Sequence, residues 1–197
     1  MEKIEYLVLL QGINVGGKNT IKMNELKGVF EKMKFTDIKT YIQSGNVIFK
    51  DYENNKLKLA KRIEKTLLNN FKNEIKVAIL TFFELEDILN NVPNEFGKDN
   101  KKYKYDILFL IEPLTKEGIM GKIKTLKCDD KIYEREKAFY VKRNTEKLTG
   151  SYITQVLKIS PNITVGNLNT SKKLYELMAE RKEKKIIMYA TTSYNKR

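Results

Sequence analysis

The chain has 197 residues, 41% of them hydrophobic, and a formal net charge of +13. That is apolar material for one large domain or two small ones, while no run approaches the roughly 18 apolar residues that cross a bilayer and the opening Met1-Glu2-Lys3-Ile4-Glu5 lacks the features of a signal peptide, so a cytoplasmic protein with no membrane partner is expected. With no histidine and a single cysteine, Cys128, there is no imidazole for Ser-His-Asp or Cys-His catalysis, no intrachain disulfide and no ordinary zinc site; chemistry would run on Lys, Asp, Glu, Tyr or backbone groups.

Tyr6 to Leu10 is a continuous apolar run ending at Gly12 and reads as a buried strand. Leu26, Val29, Phe30 and Met33 then recur at helical spacing, with Asn24 placed to cap them. Asp37 to Gln43 alternates Ile38, Thr40 and Ile42 with Lys39, Tyr41 and Gln43, the pattern of a half-buried strand. Ser44-Gly45-Asn46 turns the chain, with Gly45 free to take a positive φ, and Val47 to Lys50 is the return strand. Ala60, Ile63, Leu67 and Phe71 line a second helix, and Ile75 to Leu80 is a further strand, giving the order β-α-β-β-α-β. Thr81-Phe82-Phe83-Glu84 has the form of a capping box, opening a short helix to about Asn91.

The polar stretch Pro93 to Lys102 reads as a mobile linker. Beyond it come a strand over Tyr105 to Ile111, a helix from Leu114 to Leu126 entered at Pro113, a hairpin of Lys131 to Glu134 with Ala138 to Lys142, and a helix over Ser151 to Lys158. The expected class is α+β: two ferredoxin-like β-α-β-β-α units, a duplication of topology, with a C-terminal helix. The first subdomain would cover residues 1–92 and the second 103–197, joined by 93–102. Leu174, Leu177 and Met178 mark the last helix, capped by Asn169 or Thr170; Glu180 to Lys185 is its wet end, and Ile186 to Ala190 is a candidate final strand.

Clustered cations bind nucleic acid by releasing counterions from phosphate, so the basic charge makes nucleic acid a candidate partner. Only five of the 38 basic residues are arginines (Arg62, Arg135, Arg143, Arg181 and Arg197), although arginine is the better residue for forked phosphate contacts. Lysine is spread along the whole chain, which fits a solvated surface. An RNA-recognition motif would need stacking aromatics on its third strand, where this chain has only Phe49.

In a β-α-β-β unit the first two strands are parallel and the third commonly returns antiparallel between them. The loop after strand one and the turn after strand two then open at one end of the sheet. That brings Gly12, Asn14, Gly16, Gly17 and Lys18 towards Gln43, Ser44 and Asn46, a small polar cluster with bare amides suited to an anion. The same segment falls short of a phosphate-binding P-loop. Asn19 stands where a hydroxyl must hold Mg²⁺, and the helix near Asn24 starts too late for Lys18 to sit at its N-terminus. Each motif alone is also ordinary turn chemistry, but turns have no need of Lys18, Gln43 and Asn46 together.

Leu10-Gln11-Gly12-Ile13-Asn14-Val15-Gly16-Gly17-Lys18, Ile21-Lys22-Met23 and Thr40-Tyr41-Ile42-Gln43-Ser44-Gly45-Asn46-Val47 resemble a bacterial family, domain-of-unknown-function family 1697. Thr164-Val165-Gly166-Asn167-Leu168-Asn169-Thr170 is similar to its C-terminal Thr-x-Arg-Asn-Trp-Asn-Thr signature, departing from it at Gly166 and Leu168, and Gln11 stands where relatives usually carry arginine. The resemblance implies a duplicated α+β fold and brings no established activity or cofactor. It also points to Asn167, Asn169 and Thr170 as residues that complete the site from the second half. The leading expectation is a site for a small anionic molecule, a phosphorylated or carboxylated metabolite with nucleotides among them, at the junction of the halves. Nucleic-acid binding by the lysine surface and a protein-interaction module without ligand are the alternatives; no metal is indicated, and catalysis stays open.

Overall fold

The computed structural model describes residues 2–14, 20–43, 45–124, 130–146 and 152–194. The first unit contains β1 (Ile4–Leu10), α1 (Met23–Lys32), β2 (Thr36–Tyr41), β3 (Asn46–Asp51), α2 (Lys56–Phe71) and β4 (Val77–Thr81), followed by α3 (Phe82–Asn90). The second repeats the order with β5 (Tyr103–Leu110), α4 (Lys116–Lys124), β6 (Lys131–Glu134), β7 (Phe139–Asn144), α5 (Tyr152–Ile159), β8 (Ile163–Asn167) and α6 (Leu168–Tyr194). The sheets run β2-β3-β1-β4 and β6-β7-β5-β8, with every neighbouring pair antiparallel. Both are ferredoxin-like, and the third strand lies between the first two.

β1 lacks an alternating pattern because both of its faces are buried. Tyr6, Val8 and Leu10 pack with Leu26, Phe30, Ile63 and Leu67 under α1 and α2, while Leu7 and Leu9 face the opposite way. That second face joins Ile48 and Ala78 to Ile107, Phe109 and Tyr140 of the other sheet, with Leu85 and Ile88 of α3 and Leu174, Leu177 and Met178 of α6 in the same core. The outer face of the second sheet packs separately against α4 and α5. The surface on which an isolated unit could stack bases is therefore closed, and Phe49, fully buried on the helix side, offers no platform.

The capping box forms as read: the Thr81 hydroxyl accepts from the Glu84 amide, and the Glu84 carboxylate accepts from the Thr81 amide. Several expectations are corrected. α1 begins at Met23 with Lys22 as its N-cap and no side-chain cap, so Asn24 lies inside the helix. β2 stops at Tyr41, and Ile42 turns out of the strand with φ 48°. Residues 186–190 continue α6, since no glycine or proline interrupts its good helix formers; the last strand is instead Ile163–Asn167. α6 starts at Leu168, so Asn169 and Thr170 lie inside it, and the Asn167 side-chain oxygen accepts from the Asn169 amide in the cap position. Within the stretch 93–102, Phe96 is buried in the shared core.

No helix among the described residues is long and apolar enough to cross a membrane.

Candidate functional site

Asn14 organises the end of the first sheet. Ile13 and Ile21 are buried in the core under α1 and α2 and anchor the two ends of the glycine-rich segment. Between them Asn14 uses its amide as a clasp: Oδ1 accepts from the Ile21 amide at 2.8 Å, and Nδ2 donates to the Ile21 carbonyl at 3.0 Å and to the Gln43 carbonyl at 2.5 Å. One side chain thus closes the segment on itself and ties it to the β2–β3 turn. That is the juxtaposition expected from the strand order.

The turn is held just as tightly. The Leu10 amide donates to the Gly45 carbonyl at 3.0 Å. Gly45 has φ +73°, and a Cβ there would lie 2.4 Å from Ile13 Cδ1 and 2.7 Å from Cγ1. Only glycine fits against a buried isoleucine at that angle. Gly12, Asn14, Ile42 and Gly45 are all left-handed, so half of the eight positive-φ residues among those described fall at this one corner. Asparagine tolerates the region, but a β-branched isoleucine there is an outlier, and Ile42 is also 46% exposed.

Gly12 and Gln43 are exposed, Asn14 is half-buried, and Asn46 is buried with Nδ2 donating to the Tyr41 carbonyl at 3.3 Å. Gly16, Gly17, Lys18 and Ser44 lie outside the described residues. From the second half, the Ile163 carbonyl meets this corner, accepting from Gln11 Nε2 at 2.6 Å. Asn167 stands four residues along β8 from that contact, roughly 13 Å at the usual strand rise. Its side chain donates to the Tyr105 carbonyl. With Asn169 it borders a separate hollow of ≈ 100 Å³ beside Tyr103 and Lys104, and Thr170 is half-buried at the start of α6.

Beside that hollow is a charge that sequence reasoning passed over. Asp106, 4% exposed, receives Arg143 Nε at 2.8 Å and Nη2 at 2.5 Å. Burial pushes its carboxyl up from the ordinary value, with Arg143 opposing. An aspartate inside the apolar run Tyr105 to Ile111 was the available signal. Gln11 was read only as a departure from the family pattern, and Ile21 was missed. Ile21 contributes only backbone groups, which no residue pattern announces. Elsewhere the basic surface is interleaved with acid: Lys22, Lys27, Lys58, Lys76 and Lys173 each lie 2.7 to 3.9 Å from a carboxylate oxygen.

A family described as "protein of unknown function (DUF1697)" matches residues 4–140, more than half of the chain and both motifs of the clasped corner. The chain belongs to DUF1697. The fold is also similar to the structure of the conserved bacterial protein SP0830 from Streptococcus pneumoniae, at 26% identity and a TM-score of 0.72, over 89% of this chain and 98% of that one. None of the curated proteins matches the chain. The segment 164–170 lies beyond the part matched to DUF1697. At Gly166, where the resemblance implies arginine in relatives, a Cβ would sit 2.7 Å from Phe109 Cε2 and 3.2 Å from Ser171 Oγ, so this DUF1697 protein is packed against any side chain there.

Proposed function

We propose that the glycine-rich corner of this DUF1697 protein binds a small anionic molecule, a phosphorylated or carboxylated metabolite. The observation that carries the reading is the clasp: Asn14 holds both ends of the segment and the neighbouring turn together. Left-handed strain at a β-branched residue, of order 1–3 kcal/mol, is a feature of backbones held for a ligand, and here Ile42 carries it. Gly16 and Gly17 supply amides, Lys18 the charge, and Gln43 and Ser44 orienting hydrogen bonds. Asn14 and Asn46 brace the corner, while Gln11 joins it to the second unit.

Nucleic-acid binding draws less support. The lysines are interleaved with carboxylates, and the sheet face that base stacking would use is filled by the shared core.

The test is a thermal-shift series of wild-type protein and Lys18→Ala with inorganic phosphate, AMP, glucose 6-phosphate and citrate. A ligand at a hundred times its Kd stabilises by about 2.7 kcal/mol, and the shift is expected to vanish in Lys18→Ala. Stabilisation that survives the substitution removes Lys18 from the site, and no shift with any member defeats the reading.

A further inference from the structure

The opposite end of β1, roughly 20 Å from the glycine-rich corner at the usual strand rise, borders a cleft of ≈ 420 Å³ between the start of β1, the start of α3 and the middle of α6. Phe82 and Phe83 line it and end an aromatic ladder that leads out of the core. Tyr175, fixed by its hydroxyl to Glu86, stacks on Phe82 at 4.9 Å and 23°, and Phe82 meets Phe83 edge-on at 5.5 Å. Phe83 ends the ladder 65% exposed, which is unusual for so large an apolar ring. Lys182 lies over both phenylalanines, its Nζ 4.1 Å from each ring centroid.

Among the described residues, the cations Lys3, Lys50, Arg181 and Lys182 and the carboxylates Glu2 and Glu5 line the cleft. Arg181 is satisfied by Glu5 at 2.6 Å, and Lys50 by Asp37 at 2.6 Å. Lys3 donates to the Thr36 hydroxyl, and Lys182 has its rings, but among the described residues neither has a carboxylate at ion-pair distance. An ammonium held over aromatic faces has lost part of its hydration, and an incoming anion restores what it lost.

We infer that this cleft binds a planar aromatic molecule carrying an anionic group. The ring lies on Phe83, and the acid meets Lys182, with Lys3 adding to the attraction. The site is independent of the glycine-rich corner. It uses neither Lys18 nor Asn14.

The full chain is titrated with the fluorescent probe 8-anilinonaphthalene-1-sulfonate and, as the uncharged counterpart, N-phenyl-1-naphthylamine. The sulfonate is expected to saturate one site. Phe83→Ala weakens it about tenfold or more, the scale of lost stacking. Lys182→Gln weakens the sulfonate but not the neutral amine, Lys182→Arg restores it, and Leu68→Ala, another exposed apolar position, changes nothing. Phe83 is exposed and Lys182 half-buried, and an unchanged thermal midpoint confirms that each variant is folded. Sulfonate binding that survives both Phe83→Ala and Lys182→Gln overturns the inference, as does a neutral probe that binds equally tightly. Displacement by AMP and not by benzoate assigns a phosphate ligand, the reverse assigns a carboxylate, and displacement by neither counts against the site.

Discussion

Gly45→Ala is the sharpest probe of the clasped corner. At φ +73° an L side chain costs about 1–2 kcal/mol, and the new Cβ would lie 2.4 Å from Ile13 Cδ1, 2.7 Å from Ile13 Cγ1 and 3.0 Å from Leu10 Cβ. Ile13 and Leu10 are 1% and 4% exposed and have little room to yield, so overpacking adds about 1–3 kcal/mol. The sum, about 2–5 kcal/mol, is a large share of the roughly 5–15 kcal/mol that holds a domain folded. At this chain length it lowers Tm by roughly 4–20 °C. Urea unfolding of the single variants and of Gly45→Ala with Ile13→Ala closes a double-mutant cycle. Removing Ile13 Cγ1 and Cδ1 leaves mainly the backbone part, so the substitutions should couple favourably by about 1–3 kcal/mol. A Gly45→Ala protein within about 0.5 kcal/mol of wild type, or a cycle with no coupling, would refute the close approach.

Asn14→Ala loses the bonds to Ile21 and Gln43 and should cost about 1–3 kcal/mol in urea unfolding. Asn14→Asp, which sets a carboxylate oxygen against the Ile21 and Gln43 carbonyls, should be the less stable of the two at neutral pH. Glu84 supplies a pH signature: burial pushes its carboxyl up, but Lys56 and the amide and hydroxyl of Thr81 outweigh that and hold it below the ordinary 4.5. A lowered carboxyl stabilises above its unfolded value and loses that contribution as pH falls through its folded value. The gap in Tm between wild type and Glu84→Gln should therefore be widest near neutrality and shrink below pH 4.5. Gly166→Arg drives a Cβ to 2.7 Å from the Phe109 ring; thermal melts should show about 1–3 kcal/mol of destabilisation, relieved by Phe109→Leu.

What was legible in the sequence was what side chains announce. The stripe Ala60, Ile63, Leu67 and Phe71 placed α2, and Thr81 with Glu84 placed the start of α3. Strand order follows from connectivity, which is why the glycine-rich segment and the Gln43 turn fall at one corner on the sequence alone. β8 was missed because Ile163–Asn167 offers only two large apolar residues and ends in glycine and asparagine. The pair Ile186-Ile187 read as strand for its β-branching, though nothing breaks the helix before it. At the site the limit was of another kind. Asn14 binds backbone groups of Ile21 and Gln43, and Gln11 binds a carbonyl 152 residues away; carbonyls carry no residue signature.

Arg181 Nε reaches Glu5 at 2.6 Å across 176 residues, beside the core in which Leu174, Leu177 and Met178 meet Leu7, Leu9, Ile48 and Ala78. A chain emerging from the ribosome N-terminus first makes the early members of that set long before the late ones. At about 5–20 residues per second the interval between the end of α3 and Met178 lasts roughly 4–18 seconds, during which an apolar sheet face waits for its cover. The inner face of the first unit stays open through that interval, until β5, β8 and α6 arrive to complete the shared core.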